Sequence, residues 1–282
     1  MKYCRLLMYD LRSGFRANYK KILTFALVIV FFCAEFYGKK RIAYINEPVI
    51  PQGTVMDCIY YLHAGIREYI PDFRDAFRLP VRWLLLHLLV LYGTLYYPFR
   101  DLQVLGGNLL QRGGKRSTWW ISKCTWVTLY TIGSYLLLCG IALIVAFLMG
   151  ERLEWGITKE FTLTVSGGVN YPEFMQEDFL WILLFMPLMV MIAMNLLQLC
   201  LALFLRPVYS FFFCALLLLA SSYKLSPFLI GNYAMMLRDK SMLDWGVEAS
   251  QGVWLAGAII LFSVIAGLIR FSKWDILHQE QS

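Results

Sequence analysis

The sequence predicts an all-α, polytopic membrane protein with six transmembrane helices, an amphipathic N-terminal helix and both termini in the cytoplasm. Three observations lead there. Hydrophobic residues make up 59% of the 282 and charged residues only 16%, against about 25% charged in soluble domains. Six apolar runs alternate with polar segments. Lysine and arginine outnumber acids 14 to four in the segments assigned inside, whereas the longer segments assigned outside hold 12 against 14, the bias that orients membrane proteins. The runs leave little for a separate soluble domain, so residues 1–282 read as a single transmembrane domain. The net charge of +7 is that of basic loops facing anionic headgroups, not of a nucleic-acid surface.

The leader, residues 1–21, carries Arg5, Arg12, Arg16 and Lys20 on one helical face and Tyr3, Leu7, Leu11 and Phe15 on the other. This spacing predicts a helix lying in the headgroup plane. The first span follows at about 22–37. No small-residue cleavage site follows it, so it reads as an uncleaved span. Glu35 falls near its outer end. The basic triplet Lys39-Lys40-Arg41 directly beyond runs against an outside placement of that end.

Residues 38–82 form a polar loop broken by Pro48, Pro51 and Pro71,. The second span is about 83–99 and contains His87. Then comes the stretch around which the chain is organised, 100–123. It holds Arg100, Arg112, Lys115, Arg116 and Lys123 against Asp101 alone, an amphipathic middle, a Gly113-Gly114 turn and the Trp119-Trp120 pair. The third span, about 124–149, has no charge, and Gly133 and Gly140 are candidates for close helix approach. An acid-rich loop follows, with a hairpin conceivable around Gly167-Gly168. The fourth span, about 179–205, contains Pro187, which predicts a kink, and Asn195 and Gln198 on one face. Arg206-Pro207 joins it to the fifth span, 208–223. Residues 224–248 hold an apolar piece too short to cross, which predicts an external re-entrant hairpin. The sixth span is about 252–269, closed by Arg270 and Lys273.

Seven cysteines show no CxxC pair, and all read as small apolar packers. His63, His87 and His278 are far apart and no H-E-x-x-H occurs, so no metal or metalloprotease site is expected. A P-loop near Lys115 fails because Leu109 and Arg116 stand where glycine and Ser or Thr are needed. No nucleophile elbow is present. No catalytic residue and no cofactor is therefore expected in this chain.

The layout resembles the permease subunits of ABC transporters of the type-2 exporter class. The residues that carry the likeness are Gly107-Asn108-Leu109-Leu110, then Gly113-Gly114-Lys115-Arg116, then Lys123 entering the third span. They look like that family's cytoplasmic coupling segment, and LSPFLIGNYAMMLRD looks like its external re-entrant helices. The resemblance implies docking of a separate ABC-type ATPase subunit, which would hold ATP and Mg, through Leu102, Leu105, Leu109 and Leu110, with Arg112, Lys115 and Arg116 beside them. It implies a second permease subunit, the same or homologous, and a translocation path near His87, Asn195 and Gln198. Helix-to-helix hydrogen bonding is the competing role for those three. The implied function is outward movement of a peptide, drug or lipid-like substrate across the plasma membrane of a bacterial cell. The competing class is a non-transporting integral membrane immunity or interaction protein, in which the 100–123 loop only fixes orientation.

Overall fold

The computed structural model describes residues 2–46, 53–70, 76–101, 115–158 and 177–273. Among these residues the chain is helical, with no strand beyond two isolated bridges. The α-helices are α1 (Lys2–Asn46), α2 (Val55–His63), α3 (Val81–Thr94), α4 (Tyr97–Asp101), α5 (Arg116–Leu148), α6 (Glu177–Leu201), α7 (Pro207–Tyr223) and α8 (Ala249–Ser272). Four stretches, Tyr3–Ile45, Arg116–Leu148, Phe179–Leu201 and Ala249–Ser272, are long and apolar enough to cross a membrane, which points to a membrane protein.

The leader and the first span are one uninterrupted helix, not a surface helix followed by a span. At ~1.5 Å per residue α1 is about 67 Å long. The amphipathic pattern is real: Arg5, Arg12, Arg16 and Lys20 are exposed. Its other face, however, meets α5. Tyr3 Oη lies 2.8 Å from Thr125 Oγ1, and the Phe15 and Tyr130 rings are 5.9 Å apart. A side chain at Gly14 would sit within 2.2 Å of Trp126, so the missing Cβ is what lets the indole reach α1.

Contacts run in parallel along both helices: Asp10 meets Lys123 near one end and Lys40 meets Glu151 near the other. These are the basal and apical ends of the bundle. The thirty residues from Asp10 to Lys40 cover about 45 Å, close to a bilayer with its headgroups. Apolar side chains fill the interval, including Phe25, Ile29 and Phe32 of α1 and Leu138, Ala142 and Ala146 of α5.

The return pass is split. α3 starts at the apical end, where Arg82 approaches Glu35 at 3.7 Å. It bends at 95–96, and α4 delivers Asp101 to the base. α3 is shorter than the expected 83–99 span, and α5 begins two turns before the expected 124, which brings Trp119, Trp120 and Lys123 into the helix. α6 runs down through Pro187 without ending there. The turn before α7 covers 202–206, longer than the Arg206-Pro207 link expected, and Pro207 takes the first helical turn, where its missing N–H costs nothing,. α7 climbs back, and α8 descends to the base. There Phe271 stacks on Trp119 at 4.6 Å, and Trp120 fills the space beside Gly267, where a Cβ would meet the indole at 1.9 Å. Gly133 and Gly140 are not such contacts: the nearest atom to a Cβ at Gly133 is 4.0 Å away, and at Gly140 there is none within 4 Å.

The expected re-entrant hairpin is two short 3-10 turns, Ile230–Ala234 and Met236–Arg238, buried against α6 and α7. Arg238 holds them. It is fully buried and forms no contact ion pair among the described residues. Its guanidinium donates to the carbonyls of Ile66 (2.8 Å), Ser222 (2.6 Å) and Ser221, and to Asn232 Oδ1. Ser221 and Ser222 end α7, so the cation meets the negative end of the helix dipole. Gly65, at φ +70°, follows α2 and turns the chain toward this knot,.

Candidate functional site

At the base, three helices meet in one buried ionic cluster. Lys123 Nζ donates to Asp10 Oδ1 at 2.5 Å and to Asp101 Oδ2 at 2.6 Å. Ser122 Oγ donates to Asp10 Oδ2 at 2.6 Å, and Tyr97 Oη to Asp10 Oδ1 at 3.2 Å. The ammonium lies 5.0 Å from the Tyr97 ring centre and 5.2 Å from that of Trp119. Lys123 and Asp10 are fully buried and Asp101 nearly so. The hydroxyls of Ser122 and Tyr97 donate to the Asp10 carboxylate, and the two aromatic faces stabilise the ammonium,.

Position explains the cluster. Asp101 is the last residue of α4 and Lys123 lies two turns into α5, so the pair closes the 100–123 loop at its root. Asp10 then locks the closed loop onto α1. Removing any one charge strands the others in a medium where an unpaired ion is severely disfavoured. The sequence reading singled out Lys123 and missed both partners. A signal existed: Asp10 is the single acid of the basic leader, and Asp101 the single acid of the basic loop.

The docking residues divide. Leu102, Leu105, Leu109, Leu110 and Arg112 lie outside the described residues. Lys115 is exposed immediately before α5. Arg116 is half-buried, and its guanidinium donates to Ser272 O at 2.8 Å, tying the start of α5 to the end of α8.

The three path candidates are buried inside the chain. Thr94 Oγ1 donates to Asn195 Oδ1 at 2.7 Å, Gln198 Nε2 donates to Leu91 O at 2.9 Å, and Asn195 Nδ2 donates to Met191 O at 2.8 Å. His87 Nδ1 is 2.8 Å from Trp83 O. Asn195 and Gln198 fasten α6 to α3, the helix-to-helix role. No group of three or more metal-binding side chains occurs among the described residues.

No known protein family, curated protein or solved structure matches this chain.

At the apical end, Asp57 sits at the third position of α2 and accepts the Thr54 N–H at 2.8 Å and the Thr158 N–H at 2.7 Å. Burial raises its carboxyl above the usual range, although the Thr54 and Thr158 hydrogen bonds and Lys40 oppose the shift. His63, at the end of α2, is fully buried with neither ring nitrogen hydrogen-bonded, and its ring centre lies 5.8 Å from that of Tyr135. Burial, then the charge of His87, pulls its imidazole down to about 3. His63 is a neutral packing residue at physiological pH.

Proposed function

We propose that this chain is the membrane-spanning permease subunit of an ATP-driven exporter of the type-2 ABC class, with six spans and both termini inside. The observation that carries the reading is the buried Asp10–Lys123–Asp101 cluster. It makes the root of the basic 100–123 loop and the N-terminal part of α1 one mechanical body. A partner ATPase gripping the segment from Asp101 to Gln111 would not move that loop alone. Displacement of Asp101 is felt by Lys123 and, through it, by Asp10, so α4, α5 and α1 shift together. Buried ions suit such a linkage because separating them by even a few Å in a low-dielectric medium is strongly unfavourable. ATP and Mg belong to the partner, and a second permease subunit completes the assembly.

The passes of α3–α4 and of α7, each running from one end of the bundle to the other, support the six-span topology beside the four long apolar helices. The path would lie between two subunits rather than through one. Asn195, Gln198 and His87, committed within the chain, are structural in this scheme. The substrate is a peptide, drug or lipid-like molecule.

The test is gentle extraction from the native host with mass spectrometry of what accompanies the chain. A stoichiometric P-loop ATPase is the expected result, and Lys115→Glu should reduce its recovery while the chain still inserts. Recovery without any ATPase, where other membrane complexes survive the same extraction, would replace this reading by the immunity or interaction class. Arg116→Glu is the poorer probe, because it also breaks the bond to Ser272.

A further inference from the structure

The apical end contains a half-open cavity of about 670 Å³ between α1, α2 and the start of α3, within the size range of small-ligand sites. Its wall has two characters. Phe31, Leu79 and Val81 line it and are exposed. One turn beyond Phe31 along α1 comes Glu35, and one further turn brings Lys39. Over about 12 Å of helix the lining passes from hydrocarbon to charge, in the direction in which α1 leaves the apolar core.

Four cations line the charged side: Lys39, Arg67, Arg78 and Arg82. Two carboxylates face them, and both are already engaged. Glu35 takes Lys39 at 2.6 Å and Arg82 at 3.7 Å. Asp57 spends both oxygens on backbone N–H groups. The Arg82 guanidinium lies over Tyr61, 3.6 Å from the ring centre. Arg67 and Arg78 are exposed and form no ion pair among the described residues. The neighbouring Glu68 instead accepts the Trp245 Nε1–H at 2.9 Å. Asp72 and Asp75 lie outside the described residues.

We propose that this cavity binds the phosphate headgroup of an anionic amphiphile, with the headgroup on Arg67 and Arg78 and the chain along Phe31, Leu79 and Val81. Two guanidinium forks present the planar donor pairs that phosphate oxygens match. A purely apolar ligand would leave them without an anion, and a cationic one would be repelled. A soluble phosphate would leave the apolar wall uncovered. The Phe31-to-Lys39 gradient favours a ligand that is itself graded, as a membrane lipid is. This site does not depend on the exporter reading, since every residue named for it belongs to this chain.

The experiment uses the purified full chain in detergent, without any ATPase, and measures retention of phosphatidylglycerol, phosphatidylcholine and glycerol phosphate by native mass spectrometry. Phosphatidylglycerol should bind at least ten-fold more tightly than either of the others. Arg67→Ala with Arg78→Ala should weaken it at least ten-fold, whereas Arg12→Ala with Arg16→Ala, exposed at the opposite end of α1, should change it less than two-fold. Should the cavity double variant not fold, Val81→Glu, which puts a carboxylate on the exposed rim, should give the same loss. Equal binding of phosphatidylcholine, equal binding of glycerol phosphate, or an unchanged affinity in the folded cavity variants would each overturn the proposal.

Discussion

The two ends of the α1–α5 pair are closed by the same chemistry under different conditions. At the base, Lys123 sits between Asp10 and Asp101, and all three are out of contact with solvent. At the apex, Lys40 meets Glu151 and also acts on Asp57, and the lysine side chain keeps 14% of its exposure. The basal cluster joins three helices and carries an excess of negative charge. The apical pair joins α1 to the residue two beyond Met149, where α5 has ended. The difference teaches which end tolerates movement. A pair with water at its edge can exchange partners, whereas a sealed cluster moves as a unit or not at all.

Removing the cations one at a time is the sharpest way to break this contrast. Lys123→Met leaves two buried carboxylates without a cation and should cost about 3–5 kcal/mol of unfolding free energy in mixed micelles. Adding Asp10→Leu and Asp101→Leu should recover most of that loss, because an apolar replacement of a whole buried ion cluster is often close to neutral. Lys40→Met should cost less, about 1.5–3 kcal/mol, the worth of a charged hydrogen bond. Equal losses from the two single variants would mean that the ends do not differ as described.

Acid tests the apical end by itself. The His63 imidazole is depressed to about 3 from about 6.5 in the unfolded chain. A depressed folded-state value means that neutral His63 supports the fold fully above about pH 6.5 and that this support drains as pH falls toward 3. Between pH 7.5 and 5.5 the loss should be about 1.4 kcal/mol. His63→Leu should lack that part of the pH dependence. The Asp57 carboxyl, raised by burial, contributes with the opposite sign, in both proteins alike, so the difference between them isolates His63. The smallest expected effect on stability is that of Lys115→Glu: within about 0.5 kcal/mol for an exposed site, with the loss read instead in partner recovery.

The helices were legible because a run of apolar residues leaves few alternatives in a membrane. The leader shows where that legibility ends. Its two faces were correctly read, but periodicity reports that a face is apolar, not whether lipid or another helix covers it. The triplet Lys39-Lys40-Arg41 argued against its own placement because charges were counted singly. In the fold Lys39 bonds Glu35 and Tyr61, and Lys40 bonds Glu151, so much of its charge is spent within the chain. Asn195 and Gln198 read two ways in the sequence because a polar pair in a span has two uses, and no sequence pattern shows that Thr94 and Leu91 of α3 stand within hydrogen-bond reach of them. Arg238 gave no signal, since apart from Asn232 Oδ1 its acceptors are backbone carbonyls, which every sequence has.

The parallel pairing of α1 with α5 also imposes an order of events on biosynthesis. Asp10 leaves the ribosome 113 residues ahead of Lys123, which at about 5–20 residues per second is roughly 6 to 23 s. Through that interval its carboxylate has no buried lysine to meet, and it belongs in water. The charged face of the nascent leader, with Arg5, Arg12 and Arg16, is what a segment waiting at the membrane surface needs. The amphipathic pattern thus serves the newborn chain as well as the finished one: a helix built to float first and to dock once its partner has been made.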